Sequence, residues 1–231
     1  MKISTFNESL LEVKAQTLVL FLFEEKPLSQ EVLQIDKEMG GVIQIAVKEE
    51  RFAAKKGEMV SVNIGKKLGF TRVLLLGLGK KSNLSSLVLK RGMGTAIRTL
   101  TKSKTQKIAV YVPRLSGKKL QAGQIGESLC LGALTAEYQF TEYKTEKKDL
   151  PTRVNELTFY TTYPLKTFSR GIEEGEIIAT AVNNSRDYGN QPSNKANPSY
   201  LVSMAQEVAK TPKVRCKVLN KEEIKQKKME A

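Results

Sequence analysis

The 231-residue sequence predicts a three-layer α/β domain followed by the beginning of a second α/β unit. Two observations lead there. Apolar runs of strand length alternate with segments of helical periodicity along most of the chain. Several of those runs, residues 18–23 and 72–76 among them, are nearly continuous Val, Leu, Ile and Phe. That is the pattern of strands covered on both faces.

In order, strands are expected at residues 2–6, 18–23, 59–64, 72–76, 108–112 and 156–161. Helices fill the intervals. Ser29 is a candidate cap for a helix carrying Val32, Leu33 and Met39, and Gly40-Gly41 ends it before a second helix over 42–52. Val88, Ala96, Ile97 and Leu100 stand at helical spacing within 85–103, and Ile125, Leu129, Ala133, Ala136 and Phe140 form the clearest apolar stripe. A lysine-rich loop over 144–151 leads to the last strand, and a helix over 172–188 carries the chain out, ended by a left-handed Gly189. Pro192 and Pro198 forbid helix through the connector, while Asn197-Pro198 suits a new helix start. Beyond it, Leu201, Ala205 and Val208 mark a helix within 198–210. Val214, Cys216 and Val218 alternate as a strand, and Asn220 with Glu223 makes a capping pair for a last helix. This final piece buries little by itself, so it is expected to be mobile or poorly packed without a partner layer.

Composition narrows the chemistry. Histidine is absent, which removes any Ser/His or Cys/His catalytic pair within these residues. Cys130 and Cys216 are the only cysteines and match no metal-ligand spacing, so a reducing, intracellular setting is expected. The most apolar run, residues 17–23, falls short of the roughly 20 residues a membrane helix needs and reads as a buried strand. No membrane partner is expected.

The most informative stretch is Ser185 to Tyr200, SRDYGNQPSNKANPSY. Arg186-Asp187, Asn190, Pro192, Asn194, Pro198 and Tyr200-Leu201 resemble the hinge of the leucyl aminopeptidase (cytosol aminopeptidase) family, which joins an amino-terminal domain to a catalytic one. Residues 72–80 (RVLLLGLGK), 131–144 (LGALTAEYQFTEYK) and 217–219 are similar to family segments in the same order; Met229-Glu230-Ala231 departs from the usual Met-Gly-Ala. The resemblance covers essentially the whole chain. It implies a macro-domain-like mixed sheet over residues 1–188, a hinge at 189–197, and an incomplete helix–strand–helix start of the peptidase domain at 198–231. It also implies a cytoplasmic homo-hexamer that removes amino-terminal residues from peptides with two divalent ions, Zn or Mn. The Lys, Asp and Glu ligands and the catalytic Lys and Arg of that family would lie beyond Ala231. No catalytic, cofactor-binding or metal residue is therefore assigned here, and this chain alone is expected to be inactive, with a structural role beside the remainder of the peptidase domain.

Two other readings stay open. Gly77-Leu78-Gly79-Lys80 follows a strand and is either a phosphate cradle or a plain turn; kinship with macro domains, some of which bind ADP-ribose, keeps a nucleotide pocket in view. The +14 net charge, with lysines grouped at 102/104/107, 118/119, 144/147/148 and 225/227/228, suits either solvated surface or weak DNA and polyanion binding, which some bacterial relatives show. No recognition helix or RNA-binding aromatic motif accompanies the charge, and Tyr138, Phe140 and Tyr143 are spaced as a helix packing on the sheet. Glu173, Glu174 and Glu176 are placed in a first helical turn, suited to its dipole.

Overall fold

The computed structural model describes residues 1–7, 13–25, 28, 30–65, 68–115, 120–146 and 152–229. Six strands form one sheet: β1 (Lys2–Phe6), β2 (Thr17–Leu22), β3 (Met59–Asn63), β4 (Arg72–Gly77), β5 (Lys107–Val112) and β6 (Glu156–Thr161). Their order is β1-β6-β5-β2-β4-β3, parallel throughout except that β3 runs antiparallel to β4 at one edge. Each strand lies within a residue or two of its expected place. The helices are α1 (Gln30–Glu38), α2 (Val42–Glu49), α3 (Ser86–Lys102), α4 (Ala122–Glu137), α5 (Leu165–Asn190), α6 (Pro198–Val208) and α7 (Lys221–Gln226).

The continuous apolar runs feed two cores at once, because successive side chains of a strand point to opposite faces. In β2, Val19 and Phe21 join Leu74, Leu76, Val110 and Phe159 under α3, α4 and α5. Leu18, Leu20 and Leu22 turn the other way, to Val73, Leu75 and Tyr111 beneath Val32, Ile35 and Ile43 of α1 and α2. Three layers result.

Local signals set most helix ends. The Ser85 hydroxyl accepts from the Val88 amide at the start of α3. The α1–α2 turn uses Gly40 and Gly41, both left-handed at φ 78° and 79°. The Gly41 amide donates to Asp36 O and that of Gly40 to Lys37 O, a Schellman closure that a side chain would strain. Asn197 caps α6 through a 3.0 Å bond from the Tyr200 amide, and Asn220 and Glu223 cap α7 reciprocally. Ser29 lies outside the described residues.

Within the helical layer, backbones touch. A Cβ on Gly132 of α4 would stand 2.4 Å from Lys90 O of α3, and one on Gly171 of α5 would stand 2.0 Å from Gly123 O of α4. Phe159 and Phe168 meet edge-on below α5, their centroids 6.0 Å apart. The Thr5 and Ser169 hydroxyls, 2.7 Å apart, tie β1 to the same helix.

Several expectations are corrected. α5 begins at Leu165, not 172: Pro164 O accepts from the Thr167 and Phe168 amides, and Phe168 needs this turn to reach the core. Glu173, Glu174 and Glu176 consequently sit in the helix interior rather than at its positive end. Gly189 is not left-handed; α5 continues through Asn190, and Pro192 supplies the stop. α2 ends at Glu49, before Phe52, where Arg51 adopts φ 52° and the Phe52 amide donates to Val47 O. α4 ends at Glu137, so Tyr138, Phe140 and Tyr143 occupy a loop, with Phe140 and Tyr143 packed edge-on. Val214, Cys216 and Val218 form no strand, because no second strand exists among the described residues of that unit to complete a hydrogen-bond ladder.

The chain divides into two compact units, Met1–Asn183 and Asn184–Ala231. The first holds the sheet and both cores. In the second, no described residue is buried, and Leu201, Val208, Val214 and Val218 are exposed.

Candidate functional site

At Gly77–Gly79 the amides that would cradle a phosphate are already spent. Gly77 N donates to Glu58 O at 2.8 Å, Leu78 N to Leu22 O at 2.8 Å and Gly79 N to Ala54 O at 3.0 Å. Beyond them, the Lys81 amide is taken by both carboxylate oxygens of Glu25 at 2.9 and 3.1 Å. A Cβ on Gly77 would meet Lys55 O at 2.2 Å, so this glycine allows close backbone approach by β3's leading loop. The geometry is that of a plain turn.

The lysine groups separate by environment. Lys107 pairs with Glu156, its neighbour across the β5–β6 ladder, at 3.0 Å. Lys225, Lys227 and Lys228 are exposed on and after α7. Lys118, Lys119, Lys147 and Lys148 lie outside the described residues. Lys102 and Lys104 come together with Arg98 along a groove of about 420 Å³ at the carboxyl end of α3. Sequence reading missed Arg98 as a member, because a helix turn separates it from the lysines.

No group of three or more His, Cys, Asp or Glu side chains that could hold a metal ion exists among the described residues. They supply no set for a divalent pair. No helix among them is long and apolar enough to cross a membrane.

Cys130 is a packed core thiol between α4 and α5, whereas Cys216 is exposed. Burial, and secondarily the charge of Glu176, pushes the Cys130 thiol up from 9.0 to about 12. The unfolded chain therefore loses this proton first. The thiol's contribution to stability is complete below about pH 9 and is lost as pH rises from there through about 12. Between about pH 8 and about pH 10.5, the unfolding free energy from denaturant melts should fall more steeply for the natural protein than for Cys130→Ala, by up to about 1.4 kcal/mol per pH unit. Equal slopes would show that the thiol ionises without unfolding.

One buried carboxylate escaped the sequence reading. Asp36 on α1 is fully buried and accepts from the Ile43 amide at 2.6 Å, the Gln44 amide at 3.3 Å and the Gln44 side chain at 2.8 Å. It caps α2 from the preceding helix, a structural duty. Arg186, Asp187 and Asn190 of the Ser185–Tyr200 stretch lie on α5, and each engages a partner.

Comparison with known proteins agrees with this reading of the fold. The chain is 29% identical over 232 aligned positions to a probable cytosol aminopeptidase of Alkaliphilus metalliredigens (strain QYMF), covering 97% of this chain and 45% of that protein. It is 28% identical to a counterpart from Geobacter sp. (strain M21), with the same coverage. The chain thus spans a little under half the length of these relatives. Among solved structures, a mutant of tomato leucine aminopeptidase superposes with a TM-score of 0.82 at 21% identity, covering 99% of this chain and 46% of that one. The bottromycin maturation enzyme BotP in complex with Mn superposes at 0.69 and 17% identity, covering 92% and 40%. Residues 19–147, more than half of the chain, match the profile of the amino-terminal domain of the cytosol aminopeptidase family, and the chain belongs to that family.

Proposed function

We propose that this chain serves a two-metal aminopeptidase as a structural part, packing against the remainder of the peptidase domain and shaping access to it, within a cytoplasmic homo-hexamer. The intact enzyme hydrolyses amino-terminal residues from peptides with two divalent ions, Zn or Mn. The Mn-bound BotP, a structural neighbour, supports the choice of metal. One observation carries the assignment. The unit Asn184–Ala231 has capped helices in place yet buries none of its described residues, leaving Leu201 and Val208 of α6 52% and 54% exposed. A helix caps itself locally but depends on tertiary packing for most of its stability, so this face fits a missing layer.

Two measurements test the assignment. The chain alone, supplied with Mn or Zn, should give no turnover of leucine amides, and hydrolysis by it would sink the proposal. Co-expressed with the carboxyl-terminal part of the Alkaliphilus relative, it should form a stable complex in which the amides of residues 198–208 become protected from hydrogen exchange. Protection unchanged in such a complex would assign the packing to another surface. The amides of Gly77–Gly79, bonded to the backbone, weigh against the ADP-ribose reading.

A further inference from the structure

The groove beside α3 is independent of the aminopeptidase reading. Its walls carry Arg98, Lys102 and Lys104, with Thr101, Gln139 and Thr152 completing the polar lining. None of the three cations makes an ion pair or hydrogen bond among the described residues, unlike Lys107 close by in sequence, which is held by Glu156. Three like charges along one concavity repel one another, and a bound anion relieves that cost. The volume, about 420 Å³, falls in the range of small-molecule sites, about 300–1,000 Å³.

The carboxyl end of a helix ordinarily disfavours anions, because its last carbonyls are unpaired. Here three of them, those of Thr99, Leu100 and Thr101, are occupied. Leu100 O accepts from Thr105 N at 2.9 Å and from the Ser103 hydroxyl at 3.0 Å, Thr99 O from Ser103 N at 3.2 Å, and Thr101 O from Lys104 N at 3.0 Å. Lys104 itself takes the left-handed position that follows the helix, φ 57°, where glycine is the usual residue. A lysine there bears a backbone cost, at a position that lines the groove.

We propose that this groove binds a small, multiply charged phosphate anion, with the Arg98 guanidinium forking onto one phosphate and Lys102 and Lys104 neutralising its neighbours. The shared chemistry is a chain of two or three linked phosphates, either free or carried by a nucleoside. A concavity of this size suits such a ligand better than the broad, convex backbone of a duplex.

Calorimetric titration of the 231-residue protein with inorganic tripolyphosphate, and separately with ATP, tests it. Saturable one-to-one binding of tripolyphosphate is expected, and tighter binding of ATP would identify a nucleoside as the carrier. Arg98→Ala with Lys102→Ala should weaken either ligand by roughly tenfold or more per cation removed, the loss of a charge-assisted hydrogen bond. Lys104→Gly should weaken binding while the melting temperature holds or rises. Lys225→Ala with Lys227→Ala, which removes equal charge from α7, should leave affinity unchanged. Absence of saturation at millimolar tripolyphosphate, equal losses in the groove and α7 variants, or full affinity in all the groove variants would each overturn the proposal. So would a short duplex DNA that binds more tightly than ATP and depends on the same groove residues.

Discussion

Gly171→Ala will lower the stability of the sheet-bearing unit by about 3 kcal/mol or more, and its melting temperature by on the order of 10 °C. Two effects oppose each other. Alanine is the better helix former by about 1 kcal/mol, which favours the substitution. The new methyl, however, would stand 2.0 Å from Gly123 O, 2.7 Å from its carbonyl carbon and 2.8 Å from its Cα. These are backbone atoms of α4, so no rotamer change relieves them. α5 would have to retreat, and Phe168 and Ile172 would lose contacts in the core beneath it. The steric term therefore wins. Gly189→Ala is the internal control: nothing lies within 4 Å of its added Cβ, so only the helix-propensity gain remains. Denaturant melts of both variants read the comparison, and a Gly171→Ala protein as stable as the natural one would mean that α4 and α5 are not in backbone contact.

Those contacts also show what a sequence conceals. The strands were legible because burial on two faces leaves an uninterrupted apolar signature, as in TLVLFL of β2, where every residue is buried. The family was legible too, through the spaced polar and proline residues of Ser185 to Tyr200. Gly123, Gly132 and Gly171 were not, since a glycine in a helix dilutes the amphipathic pattern whether it merely occurs there or admits a neighbouring backbone. The same dilution hid the first turns of α5, where Gly171 and the polar side chains around it mask Phe168. At 214–218 the error ran the other way. Alternation of Val214, Cys216 and Val218 describes which face each side chain would take in a strand, but a strand exists only beside another. The groove at Arg98, Lys102 and Lys104 was half legible, as a lysine cluster whose third apparent member, Lys107, is in fact neutralised by Glu156.

Asp36 was hidden for a different reason. An acid in an amphipathic helix reads as surface, and the partner amides that draw this one inside belong to the next helix. Its substitution has the second large effect. Asp36→Ala removes three accepted hydrogen bonds and strands the buried Ile43 amide, at a cost of about 3 kcal/mol: bonds to a charged group contribute about 1.5–3 kcal/mol each, partly recovered where water reaches Gln44. The carboxylate also faces the positive end of α2, whose first turn carries no acid of its own. Asp36→Asn separates the two contributions, for it keeps a carbonyl for the Ile43 amide but gives up the charge and one acceptor. Its loss should fall between zero and that of alanine. Hydrogen exchange locates the damage: faster exchange in α1 and α2, with the α3–α4 layer unchanged, is expected, since Asp36 serves only the core under α1 and α2. Equal acceleration on both faces of the sheet would instead make this carboxylate a support of the whole unit, and the two cores one cooperative body.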